Sequence, residues 1–151
     1  MSHSCQLGRK KYEYIITMLN KELVESYKAT TYRVPDLKLD IRIGEKNKRL
    51  DFILENQIKK TWAFITAWNP ESKLLSSKEN KDRNDRLRSK LKGYQTFDSL
   101  GIPKNADWIP EESFFIIGIN QEDAIKLGVM FKQNAILCGK KNQSARLIFC
   151  I

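Results

Sequence analysis

The chain has 151 residues, enough for one domain with a real core and too short for two ordinary ones. An apolar fraction of 41% argues against disorder. The 27 Lys and Arg against 18 Asp and Glu leave a formal net charge of +9, which favours anionic partners without requiring nucleic acid.

The only histidine is His3, which argues against a histidine triad or a multi-histidine metal centre. No glycine-rich phosphate loop, nucleophile elbow or metal-spaced carboxylate set is present. No metal site and no cofactor is expected. Cys5, Cys138 and Cys150 are odd in number and lack metal spacing. Cys138 and Cys150 sit in apolar runs and read as buried thiols. This usage fits a reducing, cytoplasmic setting. No apolar run reaches membrane length and the polar N-terminus does not resemble a signal peptide, so no membrane partner is expected. Nothing in the chain indicates the oligomeric state.

Residues 1–9 read as a flexible tail and 10–151 as a single domain. The first predicted helix spans Lys10 to Ser26, with Tyr12, Ile15, Ile16, Leu19, Leu23 and Tyr27 on one stripe. The next segment turns extended up to Val34, and Pro35-Asp36 breaks it. Leu37, Leu39, Ile41 and Ile43 then alternate with polar residues, the pattern of a half-buried strand ended by Gly44. The two strands pair antiparallel on this reading. A short helix is predicted over Asn47 to Gln57.

Thr61 to Trp68, TWAFITAW, is almost unbroken apolar and predicts a strand buried on both faces. Asn69 precedes Pro70 and is biased away from helix. Ser76-x-x-Glu79 is a capping box. The helix it opens should run from Ser77 to Lys92, with Gly93 as its stop. Asn80, Asn84, Leu87 and Leu91 share its inner stripe. Inward amides need partners. Two readings stay open: they bond the backbone at the strand end, or they meet a ligand.

Tyr94 to Ala106 reads as irregular, with at most a short strand at Gln95 to Asp98, because Gly101, Pro103 and Asn105 favour loop. Ser113 to Ile119 is a second doubly buried strand. Asn120 caps a helix from Gln121 to Phe131, in which Gly128 permits close approach of helix and sheet. Strands at Asn134 to Cys138 and Ala145 to Ile151 complete the chain. The order predicts an α+β domain of mixed α/β layers: a central mixed sheet packed by about four helices.

Thr66-Ala67-Trp68-Asn69-Pro70, Glu79-Asn80, Asn84, Trp108 with Glu111 and Ser113, and Phe131 with Gln133-Asn134-Ala135 together resemble a bacterial family of unknown function, DUF3293. Tyr27 and Tyr32 resemble its opening pattern. The resemblance covers roughly Tyr27 to Leu137. It departs at Lys132, where a small residue such as glycine is expected. The family implies no activity.

Thr66 and Asn69 end a central strand, and Ser76, Asn80, Arg83 and Asn84 open the next helix. Ligands bind at such crevices, and Arg83 with the helix N-terminus favours an anion. Trp108 beside Glu111 suggests a carboxyl with a raised pKa, a general acid or base for hydrolysis or transfer. Trp108 also suits base stacking, or simply plugs a loop. Gln133 and Asn134 offer amides, or fix a turn. Three function classes follow. The first is a pocket for a small anionic or polar ligand of nucleotide, nucleobase or sugar type. It is lined by Thr66, Asn69, Asn80, Arg83, Asn84, Trp108, Gln133 and Asn134, with Glu111 as the reactive group. The second is a basic nucleic-acid-binding module using Arg83, Arg86, Arg88, Lys90 and Lys92. The third is an interaction or regulatory protein whose polar clusters are scaffold. Whether the chain is an enzyme stays open.

Overall fold

The structure is a computed structural model that describes residues 21–105, 107 and 109–150. The expectations for the tail, His3, Cys5, most of the first helix and Trp108 lie outside the described residues. The chain is helical at 21–28 (α1). There follow β1 (Thr31–Val34), β2 (Leu39–Ile41), α2 (Lys48–Leu54), β3 (Thr61–Ile65), α3 (Ser77–Lys90), β4 (Gln95–Ile102), β5 (Glu111–Ile117), α4 (Gln121–Met130), β6 (Ala135–Lys140) and β7 (Arg146–Phe149).

The strands form one seven-stranded sheet in the order β2-β1-β4-β5-β3-β6-β7. The α+β reading holds. Every neighbouring pair is antiparallel, however, where a mixed sheet was expected. Two helical crossovers explain this. α3 carries the chain from β3 to β4, and α4 carries it from β5 to β6. Each crossover joins strands two places apart, and a strand of the other unit fills the gap. This is the interleaved β-α-β-β-α-β arrangement of ferredoxin-like folds. β1 and β2 extend it beyond β4, and β7 extends it beyond β6.

The sheet curls until its two edges touch. Ile43, just past β2, bridges Ala145, just before β7. The N–H of Gly44 donates to Ala145 O at 2.9 Å and that of Ala145 to Glu45 O at 3.2 Å. Alternation along the strands then sorts the core. Trp62 and Phe64 face inward with Val34, Ile41, Phe115, Leu137 and the α2 residues Leu50 and Leu54. Ala63 and Ile65 face outward, under Leu87 and Leu91 of the α3 region and Ala124 of α4.

The capping box is present: Ser76 Oγ accepts from Glu79 N–H, and Glu79 Oε1 from Ser76 N–H. Ser76→Ala is expected to cost about 1 kcal/mol, seen as a lower urea midpoint. β4 corrects the sequence reading. The short strand allowed at Gln95 to Asp98 runs on to Ile102, eight residues in all, through a stretch expected as loop, because β5 and β1 flank it and Gly101 pairs with both Glu111 and Tyr32. Pairing on two sides outweighs a glycine's weak preference for loop.

Lys132 follows α4 with φ 54°. The N–H of Gln133 donates to Gly128 O and that of Lys132 to Val129 O, the two bonds of a Schellman helix stop. That motif needs a left-handed residue, which glycine adopts without strain. Lys132→Gly is therefore expected to raise stability by about 0.5–1 kcal/mol, measurable as a higher denaturant midpoint at unchanged slope.

Candidate functional site

Antiparallel pairing decides where the polar residues meet. β3 runs against both β5 and β6, so the exit of β3 lies beside the entrances of its two neighbours. Residues 66–69, 111–112 and 133–134 therefore converge. α3 starts over the same corner.

Both α3 amides are engaged there. Asn84, 5% exposed, accepts from Ala67 N–H at 2.9 Å and donates to Glu112 O at 2.9 Å. Asn80, 2% exposed, accepts from Asn69 N–H at 2.8 Å and donates to Asn69 Oδ1 at 2.8 Å. Asn69 Oδ1 also accepts from Leu75 N–H. Thr66 Oγ1 donates to Glu112 O at 2.6 Å and accepts from Trp68 N–H at 3.0 Å. Arg83 donates from Nε to Ala67 O and from Nη2 to Phe131 O. Burial and then Arg86 lower its pKa, and no carboxylate pairs with it among the described residues. Gln133 donates to Trp68 O and Phe131 O, both at 3.3 Å. Asn134 donates to Ser72 Oγ at 2.8 Å.

The loop these groups hold is strained. Asn69, Glu71 and Ser72 all have positive φ, and so does Lys132, whose carbonyl accepts from Glu71 N–H at 2.8 Å. Non-glycine residues in this region cost about 1 kcal/mol or more each, and such strain gathers at functional corners.

Glu111 opens β5 at this corner, half-buried. Its Oε1 accepts from Asn69 Nδ2 at 3.4 Å, and no cation forms an ion pair with it among the described residues. Burial raises its pKa, and the Asn69 amide opposes this. Tyr27 belongs to the same cluster. Burial first, then the Glu111 charge, push its phenol up to about 12, while a hydrogen bond with Asn134 works the other way. Tyr32 Oη donates to Tyr27 O at 3.3 Å. Beside the cluster lies a cavity of about 320 Å³ bordered by Glu71, Lys132, Gln133, Asn134 and Cys150. A second groove, of about 440 Å³, lies between α3 and the β4–β5 pair over Asn84, Ser99 and Ser113.

The corner thus brings together Thr66, Asn69, Asn80, Arg83, Asn84, Glu111, Gln133 and Asn134. The basic face of α3 is less free than its sequence suggests. Arg83 is tied to carbonyls, and Arg88 pairs with Asp98 at 3.0 Å while lying 4.9 Å over the Phe114 ring. Residue-by-residue reasoning gave Tyr27 only a place on a helix stripe. Its neighbours come from β5 and β6, so no local pattern could signal them.

Residues 65–136 match the model of a family described as protein of unknown function (DUF3293). Over that span, just under half of the chain, the sequence is similar to the DUF3293 family. No curated protein and no solved structure matches. The DUF3293 span runs from the last residue of β3 to the second of β6, and so contains the whole corner except Tyr27. Tyr27 and Tyr32, which the sequence resemblance included, lie outside it. The DUF3293 description carries no activity, so any function has to be argued from the corner itself.

Proposed function

We propose that the corner binds a small, donor-rich ligand such as a nucleobase, a nucleoside or an amino sugar, with Glu111 as its anchor. One observation carries this reading. Glu111 is a partly buried carboxylate with one long amide hydrogen bond and no ion-pair partner among the described residues. Such a group is costly to fold around. A ligand N–H or O–H would satisfy it. An unpaired carboxylate also disfavours an anionic ligand and turns the expectation toward neutral or cationic ones.

Asn80 and Asn84 serve this site indirectly on this reading. They hold the 66–69 loop, while Glu111, Tyr27, Asn69 and Asn134 supply the contacts. A carboxyl kept protonated to higher pH beside a phenol is also suited to proton transfer, should the ligand be a substrate. The hydrogen-bonded amides of Asn80 and Asn84 equally favour a second reading, an interaction or regulatory protein with a rigid polar scaffold.

Glu111→Gln separates the two. With its folded pKa above the ordinary 4.5, Glu111 binds its proton more tightly folded than unfolded. Stability from this group is complete below about pH 4.5 and is lost as pH rises through the raised folded value. The apo Gln variant should therefore melt at or above the wild type at neutral pH, with a flatter pH profile. A panel of nucleosides, nucleobases and amino sugars should give a melting shift on the order of 5–10 °C for at least one compound at about 100 times its Kd. That shift should vanish in Glu111→Gln. A panel without shifts, or a shift the variant keeps, overturns the proposal.

A further inference from the structure

We propose that the end of the sheet opposite this corner docks on an anionic bilayer surface, lying on it without crossing it. α2 closes that end. Its Leu50 and Leu54 enter the inner core. Its outer side is joined to the turn after β6: Asp51 Oδ1 accepts from Asn142 N–H at 2.7 Å, Lys60 O accepts from Lys141 N–H at 2.9 Å, and Glu55 pairs with Lys141. The surface so formed is one-sided in charge. Lys46, Lys48, Lys59, Lys60 and Lys140 are exposed, and none is in an ion pair among the described residues. Among its carboxylates, Glu55 pairs with Lys141 and Glu45 with Arg42 at 3.8 Å, while Asp51 accepts only from a neutral N–H and keeps its charge. Those five lysines outnumber that one unpaired carboxylate, and the field that leaves this surface is positive.

Two large apolar side chains stand in that field. Ile58 is 100% exposed and Phe52 is 75% exposed. Single exposed apolar residues are ordinary on a protein surface. Here both belong to one short stretch, from α2 into the following loop, and lysines flank them. A phosphate polymer would use the lysines and could stack on Phe52, but it offers nothing to an aliphatic tip. A bilayer uses all of them, since lysines meet anionic headgroups while Ile58 and Phe52 enter the acyl boundary. No helix among the described residues is long and apolar enough to cross a membrane, and adsorption of this kind needs none. The sequence expectation of no membrane partner rested on the lack of a membrane-length run and of a signal peptide, and surface adsorption departs from it.

The test is co-sedimentation of the full chain with phosphatidylcholine vesicles, with and without phosphatidylserine, at about 0.15 M salt. Binding is expected only with phosphatidylserine. It should fall about tenfold or more in Phe52→Ser/Ile58→Ser, through lost apolar burial, and by a similar factor in Lys59→Glu/Lys60→Glu. These positions are exposed, so melting temperatures should stay near the wild type; should a variant fail to fold, the contrast between the two vesicle types and a salt titration of the wild type decide. Absence of binding to the phosphatidylserine vesicles overturns the proposal. Undiminished binding by Phe52→Ser/Ile58→Ser does so as well. Binding of single-stranded RNA at the same salt, with vesicles unbound, replaces the bilayer with a nucleic acid.

Discussion

Asn84→Ala should lower the stability of the protein by about 2–3 kcal/mol, because it leaves one buried backbone group without a partner and another with one donor fewer. The N–H of Ala67 relies on this one amide, while the carbonyl of Glu112 loses it and keeps the Thr66 hydroxyl as a donor. Ala67 is fully buried, so water cannot easily replace the lost bond. Each stranded group costs about 1–3 kcal/mol. For a domain of this size, 1 kcal/mol moves the melting point by about 2–4 °C, so a drop of roughly 5–10 °C is expected. Asn80→Ala should cost less, about 1–2 kcal/mol, since its partners on Asn69 and Leu75 are only partly buried. Asn84→Asp is the sharper experiment. It keeps the acceptor facing Ala67 but turns the donor into a second acceptor facing a carbonyl. The new carboxyl should have a raised pKa in the folded state, so its damage should grow as pH rises and shrink as pH falls. Stability unchanged in Asn84→Ala would show that the amide is free for a ligand after all.

The second large effect is expected from Gly128→Val. A Cβ at this position would lie 2.5 Å from Cys150 Sγ and 3.0 Å from Ile136 Cγ2. Valine adds two methyl groups beyond that point. Overpacking of this kind costs about 1–3 kcal/mol, and more when the backbone must move. Cys150 is half-buried near the end of the described chain, so its side chain can yield where Ile136, 2% exposed in β6, cannot. Cys150→Ala should therefore recover part of the loss, and denaturant melts of the double variant should show less than the sum of the single effects. Full additivity would mean that the clash is borne by Ile136 alone. Gly128→Ala should be milder, because the helix gains about 1 kcal/mol from alanine against the same first contact.

Elements whose signals are local were legible in the sequence. The capping box set the start of α3 to the residue, and a 3.6 period placed Asn80, Asn84 and Leu87 on its buried side. The unbroken apolar runs marked β3 and β5 as central. Pairing was not legible, because it depends on which strand fills the gap under each helical crossover. An apolar run has the same appearance with parallel or antiparallel neighbours, so it cannot tell a mixed sheet from an antiparallel one. β4 was hidden for a related reason. Its register with β1 and β5, not its composition, makes Gly101 and Ile102 strand. The corner was half legible. Strand ends and helix starts pointed to Asn69, Glu111 and Gln133, but the share of each amide taken by the backbone depends on distances no spacing encodes. Lys132 shows the reverse case. Its mismatch with the family pattern put the turn there in doubt, yet the turn forms, and the left-handed backbone of Lys132 shows why glycine suits the position.

The interleaving of the two β-α-β units bears on how the chain is made. β3 is the first strand of this core to leave the ribosome, and it is almost wholly apolar. Its partners arrive much later. Phe64 waits for Phe115, and Ala63 waits for Cys138. Until then both edges of β3 present bare hydrogen-bonding groups, the condition under which nascent chains stick to one another. β4 and β5 can zip up as a local pair meanwhile, but they cannot shelter the far side of β3. Vectorial synthesis therefore leaves the most aggregation-prone segment uncovered until β6 has emerged. Non-local closure of this type folds slowly. Arresting translation between β5 and β6 should yield a chain that holdase chaperones grip at residues 61–65, and release past β6 should free it.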